Sequence, residues 1–403
     1  MIAEPQSSDN RNAEHQRLVV FSDDWGRHPS SCQHLVGHLL DRHPTLWVNT
    51  IGTRSPKWST EDFGKIATKL GQWAVKPNPH PFERNRPTVV NPMMYPGFRK
   101  RWQRRLNARL VAHAVNQALG PRHAKEQRVA VTTVPIVADV AARLRVDRWV
   151  YYCVDDFTVW PGLDGTVIDA MERQLVRNVD RIVAVSQTLQ QRLASWGRDS
   201  VSLSHGIDLD HWTSNEPSGS HHRPPTLGTR GLINDWAQLK KPIVLFWGVV
   251  DQRLDTECCL ALAQATGTLI LAGPQQSPDR RLAVSGNIRM PGPVPYADLP
   301  ALARAADVLV MPYADLPVTR AIQPLKLKEY LATGKPTVVR KLPATAPWSD
   351  AADVVETTRQ FVQTVTQRAT QGIPIDQQQA RKRLQNESWT AKATFFEQVL
   401  FAP

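Results

Sequence analysis

The sequence predicts an α/β protein made of two successive domains, each a doubly wound parallel sheet with helices on its faces. Three observations lead there. The chain has 403 residues, enough to bury two cores. Apolar runs of strand length recur along it, bounded by turn residues and followed by helix-forming stretches, as parallel sheets buried on both faces require. Between two such series the composition shifts to Ser, Gly, His, Pro and Thr, as in SGSHHRPPTLGTRG, which reads as a linker.

Residues 1–16 are polar and lack an apolar signal core, so a disordered terminus is expected. The first domain spans 17–212. RLVVFS (17–22) is its first strand, running into the loop DDWGRHPSSCQ, and a helix around His34 to Leu40 leads to the strand TLWVNT (45–50). The strands VAVTTVP (129–135), RWVYYCVDD (148–156) and DRIVAVS (180–186) follow, the last backed by the helix QTLQQRLASWG, and SVSLSHGIDLDHW closes the domain. The linker covers 213–240. The second domain, 241–385, restarts with KPIVLFWG (241–248), a helix from Asp255 to about Ala265 and the strand TLILAGP (268–274). NIRMPGPVPYADLPALARAADVLVMPY repeats strand, loop, helix and strand. The segment 386–403 contains WTAKATFFEQVLF (389–401), an amphipathic closing helix.

Hydrophobic residues make up 41% of the chain, and no stretch approaches the roughly 20 apolar residues of a membrane span. With the polar start, this predicts a cytoplasmic protein. Cys32, Cys153, Cys258 and Cys259 show no metal-ligand spacing and are expected as buried thiols. A net charge of +12 calls for an anionic partner: a phosphorylated small molecule, an acidic membrane face or nucleic acid. The chain has no zinc-finger spacing, no RNA-recognition signature and no long basic tail, which argues against nucleic acid.

The stretch 308–339 is the most informative. Val308 to Pro312 is a short buried-strand run, Pro324 suits the first turn of a helix, and Gly334 with Pro336 ends that helix before the strand at Thr337. The unit is a βαβ crossover. In such sheets ligands bind beyond the carboxyl ends of strands, where helix N-termini present N–H groups to anions. The loop from Ala314 to Gln323, with Thr319 and Arg320, is therefore expected to face a crevice suited to an anion.

Several stretches together resemble the retaining glycosyltransferases of the B-type (GT-B) fold, in the large family 4 class. They are DDFTVWPGLDGTVIDAMERQLVRNVDRIVAVSQTLQQRLASWG, SHGIDLDHW, FWGVVDQRLD, LILAGP, NIRMPGPVPYADLPALARAADVLVMPY and LPVTRAIQPLKLKEYLATGKPTVV. The resemblance runs from about residue 17 to 400. It implies two Rossmann-like domains facing a cleft, the first presenting an acceptor and the second holding a nucleoside-diphosphate sugar. No metal and no separate cofactor are implied, and the final helix is expected to return to the N-terminal domain.

Glu329 matches the family glutamate that contacts the nucleotide ribose. The family places another glutamate eight positions earlier, where this chain has Ala321, so the way the donor sugar is held departs from the pattern. Thr319, Arg320 and Gln323 are the candidates to replace it, with Gly248 and Gly273 allowing close approach of the backbone to the donor. A leaving diphosphate gathers negative charge, which a fixed cation stabilises. Lys326 is the candidate, against the alternative of a solvated helix lysine, and Arg253 in the loop after the strand would brace it. Lys328 is expected on the surface. His205 is expected to make a backbone hydrogen bond near the domain boundary.

On the acceptor side the candidates are Gly26, Arg27 and Gln33 in the first loop, and Asp155 with Asp156 at a strand end. Asp156 could assist catalysis, and the alternative for the pair is capping of the next segment. FRKRWQRRLNARLVAHAV (98–115) carries six basic residues around a Phe98/Trp102/Leu106/Leu110 stripe. It predicts docking on an anionic membrane, here the inner face of the cell membrane. The alternative is a solvated helix with its stripe packed on the core.

The function expected is transfer of a sugar to a saccharide or lipid-linked acceptor in cell-envelope or extracellular polysaccharide synthesis. The alternatives are a non-catalytic sugar-binding or scaffold descendant of the enzyme, and a sugar-nucleotide epimerase on the same fold.

Overall fold

A computed structural model describes residues 16–26, 30–49, 86–160, 163–213 and 225–402. The chain divides into two compact units, one comprising residues up to Ser204 together with Trp389–Pro403, the other His205–Ser388.

The first unit is built on a seven-stranded sheet, β1 (Gln16–Ser22), β2 (Thr45–Asn49), β3 (Thr88–Val90), β4 (Gln127–Thr132), β5 (Arg148–Cys153), β6 (Arg181–Ala184) and β7 (Val201–Ser202). The order is β3-β2-β1-β4-β5-β6-β7 and each pairing is parallel. The central strands are buried on both faces, which is why they read as continuous apolar runs rather than alternating ones. The short edge strands β3 and β7 are largely solvent-facing and left no apolar run to read.

The terminal helix, Trp389–Phe401, belongs to this first unit. Trp389 stacks on His34 at 4.6 Å, Phe401 stacks on His43 at 4.5 Å, and Phe396 is fully buried against Tyr152. Arg148 and Arg181 donate to its last carbonyls, at Leu400 and at Val399, completing a helix end that lacks intrahelical partners.

The second unit holds β8 (Ile243–Trp247), β9 (Thr268–Ala272), β10 (Ile288–Gly292), β11 (Val308–Met311), β12 (Thr337–Arg340) and β13 (Asp353–Val355) in the order β10-β9-β8-β11-β12-β13, again parallel. Its boundary falls at His205, so the segment HGIDLDHW (205–212) lies with this unit and not with the first. The stretch read as a linker is in part a helix, Leu227–Trp236. Asp298 Oδ2 fixes its start, accepting from Thr226 Oγ1 at 2.8 Å and Thr229 Oγ1 at 2.7 Å. Composition hid this helix, because its N-cap Thr226 and the Gly228 and Thr229 of its first turn resemble linker residues.

The four cysteines are free and buried. Burial pushes the Cys258 thiol up to about 12, which keeps it protonated and inert.

Docking of the terminal helix is checked by Phe396→Ala, which empties a fully buried ring site. A loss of about 3–5 kcal/mol in urea unfolding is expected; a loss below about 1 kcal/mol would show that the helix contributes little to the first unit.

Candidate functional site

In the second sheet the chain runs from β8 outward to β9 on one side and returns to β11 on the other. This is the switch point at which open α/β sheets leave a crevice beyond their strand ends. Gly248 follows β8 and Gly273 follows β9, with φ of 141° and 148°, a region that favours glycine. A Cβ on Gly273 would lie 1.9 Å from the Gly248 carbonyl oxygen, and one on Gly248 would lie 2.1 Å from Lys326 Nζ. The two glycines make the floor of the crevice out of bare backbone, and the second of these clashes shows what occupies the space above it.

Lys326 extends from the helix Leu325–Ala332 to that point. Its ammonium donates to Tyr313 Oη at 2.9 Å, just beyond β11, and sits 4.8 Å from the Phe246 ring centroid. Among the described residues no carboxylate lies within ion-pair distance of it. A cation held by a neutral phenol and an aromatic face keeps its capacity to bind an anion.

Glu329 is one turn further along the same helix. Trp247 Nε1 donates to its Oε2 at 3.2 Å, and the Tyr296 hydroxyl lies near enough to favour its charged form. Desolvation pushes the carboxyl up to about 7, against the opposing pull of the Trp247 hydrogen bond and the Lys326 charge. Aromatic rings wall the group in. Trp212 stacks on Trp247 at 5.4 Å and donates from Nε1 to Tyr296 Oη at 3.3 Å, while His211 stacks on Tyr296 at 4.6 Å. Trp247 itself is anchored by its N–H, which donates to the buried Tyr330 hydroxyl at 3.1 Å.

The neighbouring candidates have other partners. Thr319 is fully buried and its hydroxyl bonds the Ala314 and Leu316 carbonyls, folding part of the expected loop into the short helix Pro317–Ala321. Arg320 is exposed and forks onto Asp315 at 2.5 and 2.7 Å. Arg253 is held by Asp251 at 2.9 Å, so its charge is already compensated. Gln323 lies half-buried just before Pro324. Lys328 is a correction: it is 4% exposed, and its ammonium bonds the His205 carbonyl and the Glu387 carboxylate. Helix periodicity explains the difference, since Lys328 falls on the buried face with Leu327 and Leu331.

In the first unit, Gln33 is fully buried and ties the first loop together. Its Oε1 accepts from Gly26 N at 3.0 Å and its Nε2 donates to Asp23 Oδ2 at 2.6 Å. Gly26 has φ 78°, and Arg27 lies outside the described residues. Asp156 caps the turn Phe157–Val159, accepting from Thr158 N at 3.0 Å, and pairs with Arg192 at 2.6 Å. Asp155 lies half-buried next to it. The capping alternative thus describes Asp156, whose carboxylate is engaged by its own turn and an arginine.

Trp212, Trp247, Tyr296 and Tyr313 were not among the sequence candidates. Trp247 and Tyr313 lie at strand ends, the one signal that could have flagged them. Among the described residues no group of three or more His, Cys, Asp or Glu is gathered that could hold a metal ion.

Residues 241–367 match the family described as glycosyl transferases group 1. A protein of Bacillus subtilis (strain 168), assigned by its name to teichuronic acid biosynthesis as the glycosyltransferase TuaH, is 26% identical over 190 residues. That stretch covers 45% of this chain and 45% of that protein. Among solved structures, HepE of Anabaena in complex with UDP and glucose aligns with a TM-score of 0.65 and 15% identity, over 96% of this chain and 100% of that one. Sucrose-phosphate synthase from Thermosynechococcus elongatus aligns with a TM-score of 0.66 and 15% identity, over 95% and 98%. The chain therefore has the B-type glycosyltransferase fold. Its second unit carries a group 1 glycosyltransferase domain.

Two measurements probe this site. Gly273→Ala forces a Cβ into backbone and is expected to destabilise by more than about 3 kcal/mol, combining strain and overpacking. Gly248→Ala meets the end of a flexible lysine and should cost about 1–3 kcal/mol; equal losses would contradict the geometry. The second concerns pH. With Glu329 near 7 in the folded chain and near 4.5 when unfolded, the native state keeps a proton that the unfolded chain releases. Stability should therefore fall as pH rises from about 5 to about 7, by about 1–3 kcal/mol, and level off above. Glu329→Gln should abolish that slope in Tm measured against pH.

Proposed function

We propose that this chain transfers a sugar from a nucleoside-diphosphate sugar to a saccharide or lipid-linked saccharide acceptor at an anionic membrane face. Transfer proceeds with retention and without a bound metal, in the assembly of cell-envelope or extracellular polysaccharide. The observation that carries the reading is the pairing of Lys326 and Glu329 on one helix at the switch point, above two glycines that leave the backbone bare. Support comes also from the relative named for teichuronic acid biosynthesis and from the neighbour in complex with UDP and glucose.

On this reading the diphosphate lies over Gly248 and Gly273, against the N–H groups at the start of Leu325–Ala332. Glu329 accepts from the ribose hydroxyls. As the bond from the sugar's anomeric carbon to the phosphate oxygen breaks, charge builds on the departing diphosphate and Lys326 stabilises it. The acceptor oxygen forms the new bond on the same face of the ring, and its proton passes to the departing phosphate oxygen. Arg253 and Asp156, engaged by Asp251 and Arg192, act as framework in this scheme.

The absent family glutamate is absorbed into packing. Ala321 is 6% exposed at the end of the short helix Pro317–Ala321, where a carboxylate would be buried. The donor sugar's hydroxyls are then held by other groups, and of the three candidates Gln323 remains, because Thr319 and Arg320 are engaged by local partners.

A thermal-shift panel of nucleoside diphosphates and their sugars tests the reading, with the uridine compounds expected to stabilise the protein. At a ligand concentration one hundred times Kd the gain is about 2.7 kcal/mol. Glu329→Ala should erase most of that shift. Lys326→Ala should leave a measurable shift but lower kcat by about 10–100-fold, the loss of one charged hydrogen bond of about 1.5–3 kcal/mol. A panel without any shift would overturn the proposal.

A further inference from the structure

The helix Arg101–Leu119 settles against the first sheet in an unexpected rotation. It buries Asn107, Ala108, Val111, Ala112, Val115 and Leu119, a ridge whose alanines permit close approach. Of the Phe98/Trp102/Leu106/Leu110 stripe, Trp102 and Leu106 face outward while Phe98 and Leu110 are half-buried. Trp102 is 51% exposed and Leu106 37% exposed. Two more exposed side chains lie in the segment leading to the helix, Met93 at 77% and Tyr95 at 38%, and the Tyr95 ring meets the Trp102 ring edge-on at 5.0 Å.

Cations are interleaved with these residues. Lys100, Arg101, Arg105 and Arg109 are exposed, three of them spaced four residues apart on one helical ridge. Arg99 pairs with Asp164 and Arg104 with Asp139, which leaves the ridge arginines as the uncompensated ones among the described ion pairs. No acidic residue occurs between Arg84 and Lys125. A solvated helix face does not need four large apolar side chains, and a protein core would not admit the arginines. An interface that is anionic on its surface and apolar beneath takes both: arginines meet headgroup phosphates, and Trp, Tyr, Leu and Met enter the acyl boundary.

We propose that this face, formed by Met93, Tyr95, Trp102, Leu106 and the ridge Arg101/Arg105/Arg109, docks the protein reversibly on an anionic lipid bilayer. The proposal deepens the membrane-face reading above and rests on it only for its purpose, since vesicle binding can be measured without sugar transfer. No helix among the described residues is long and apolar enough to cross a membrane, so attachment here is lateral.

The test is sedimentation of the full chain with vesicles of phosphatidylcholine alone and of phosphatidylcholine containing about a third phosphatidylglycerol. Binding to the acidic vesicles, weak binding to the neutral ones and release in high salt are expected. Reversing Arg101, Arg105 and Arg109 to glutamate should lower partitioning by at least about a hundredfold, each lost cation accounting for about fivefold. Trp102→Ala with Leu106→Ala should weaken binding to acidic vesicles by about tenfold or more and remove its salt-resistant part. All these side chains are exposed, so an unchanged Tm confirms that the variants are folded. Equal binding to both vesicle types, or no loss in either variant, would overturn the proposal. Sugar transfer to a water-soluble acceptor is expected to be unchanged in the variants, so a failure of docking leaves the transferase reading intact. Loss of nucleotide binding in the wild type would undo that reading alone.

Discussion

A lysine ammonium standing over a glycine is the contact on which the second unit's site depends. Lys326 Nζ occupies the volume that a side chain at position 248 would fill. The phenol of Tyr313 and the face of Phe246 hold it there without neutralising it. Around this one cation the strand ends, the bare backbone at Gly248 and Gly273 and the start of the helix Leu325–Ala332 come together in an arrangement whose chemistry suits an anion. Remove the lysine and the same crevice is a polar turn. Add a Cβ at 248 and the ammonium has to leave it.

The charge of the chain is distributed with the same economy. A net charge of +12 suggests a broadly basic surface, yet the basic groups near the crevice are mostly neutralised in pairs. Arg253 faces Asp251, Arg320 faces Asp315 and Arg340 faces Asp255. Such pairs add little net field and serve to shape loops; the Arg340–Asp255 pair, for example, fixes the residue that caps the helix Thr256–Ala265. Lys326 and the ridge arginines of the helix Arg101–Leu119 are among the cations to which the described ion pairs supply no carboxylate.

Most of the sheet framework was legible in the sequence, because buried parallel strands must be continuous apolar runs. The central strands of both units fall within a few residues of their predicted ranges. What could not be read was whatever depends on distant partners. The edge strands β3, β7 and β13 are only two or three residues long, too short for an apolar run to register, and the helix Leu227–Trp236 is fixed by Asp298, which lies far along the chain. Lys326 and Glu329 were singled out as candidates from helix position and resemblance, and they share one helix beside Gly248 and Trp247. Their aromatic surroundings were not, since a tryptophan such as Trp212 declares nothing of its neighbour until the chain brings it against Trp247. Arg253, Arg320 and Asp156 have the right chemistry for a site, and local carboxylates or an arginine claim each of them. Residue type shows what a group can bind; the competing partner already present decides whether it does.

Lys328 extends that point from chemistry to architecture. It lies two residues from Lys326 and one from Glu329, yet faces the opposite side of their helix and is buried. There it holds the first and last segments of the second unit: the His205 carbonyl where the chain enters, and Glu387 where it leaves. Ile207 N donates to the Glu387 carbonyl at 2.8 Å, so the two segments are also joined to each other. A buried ion pair is a poor source of net stability, because desolvating both charges offsets most of their attraction. Its value here is geometric. The pair fixes the rotation of the helix Leu325–Ala332, and that rotation determines that Lys326 reaches Gly248 and Glu329 reaches Trp247. One face of a two-turn helix meets the crevice while the other clasps the ends of its own domain, so the crevice geometry is set by the contacts behind it.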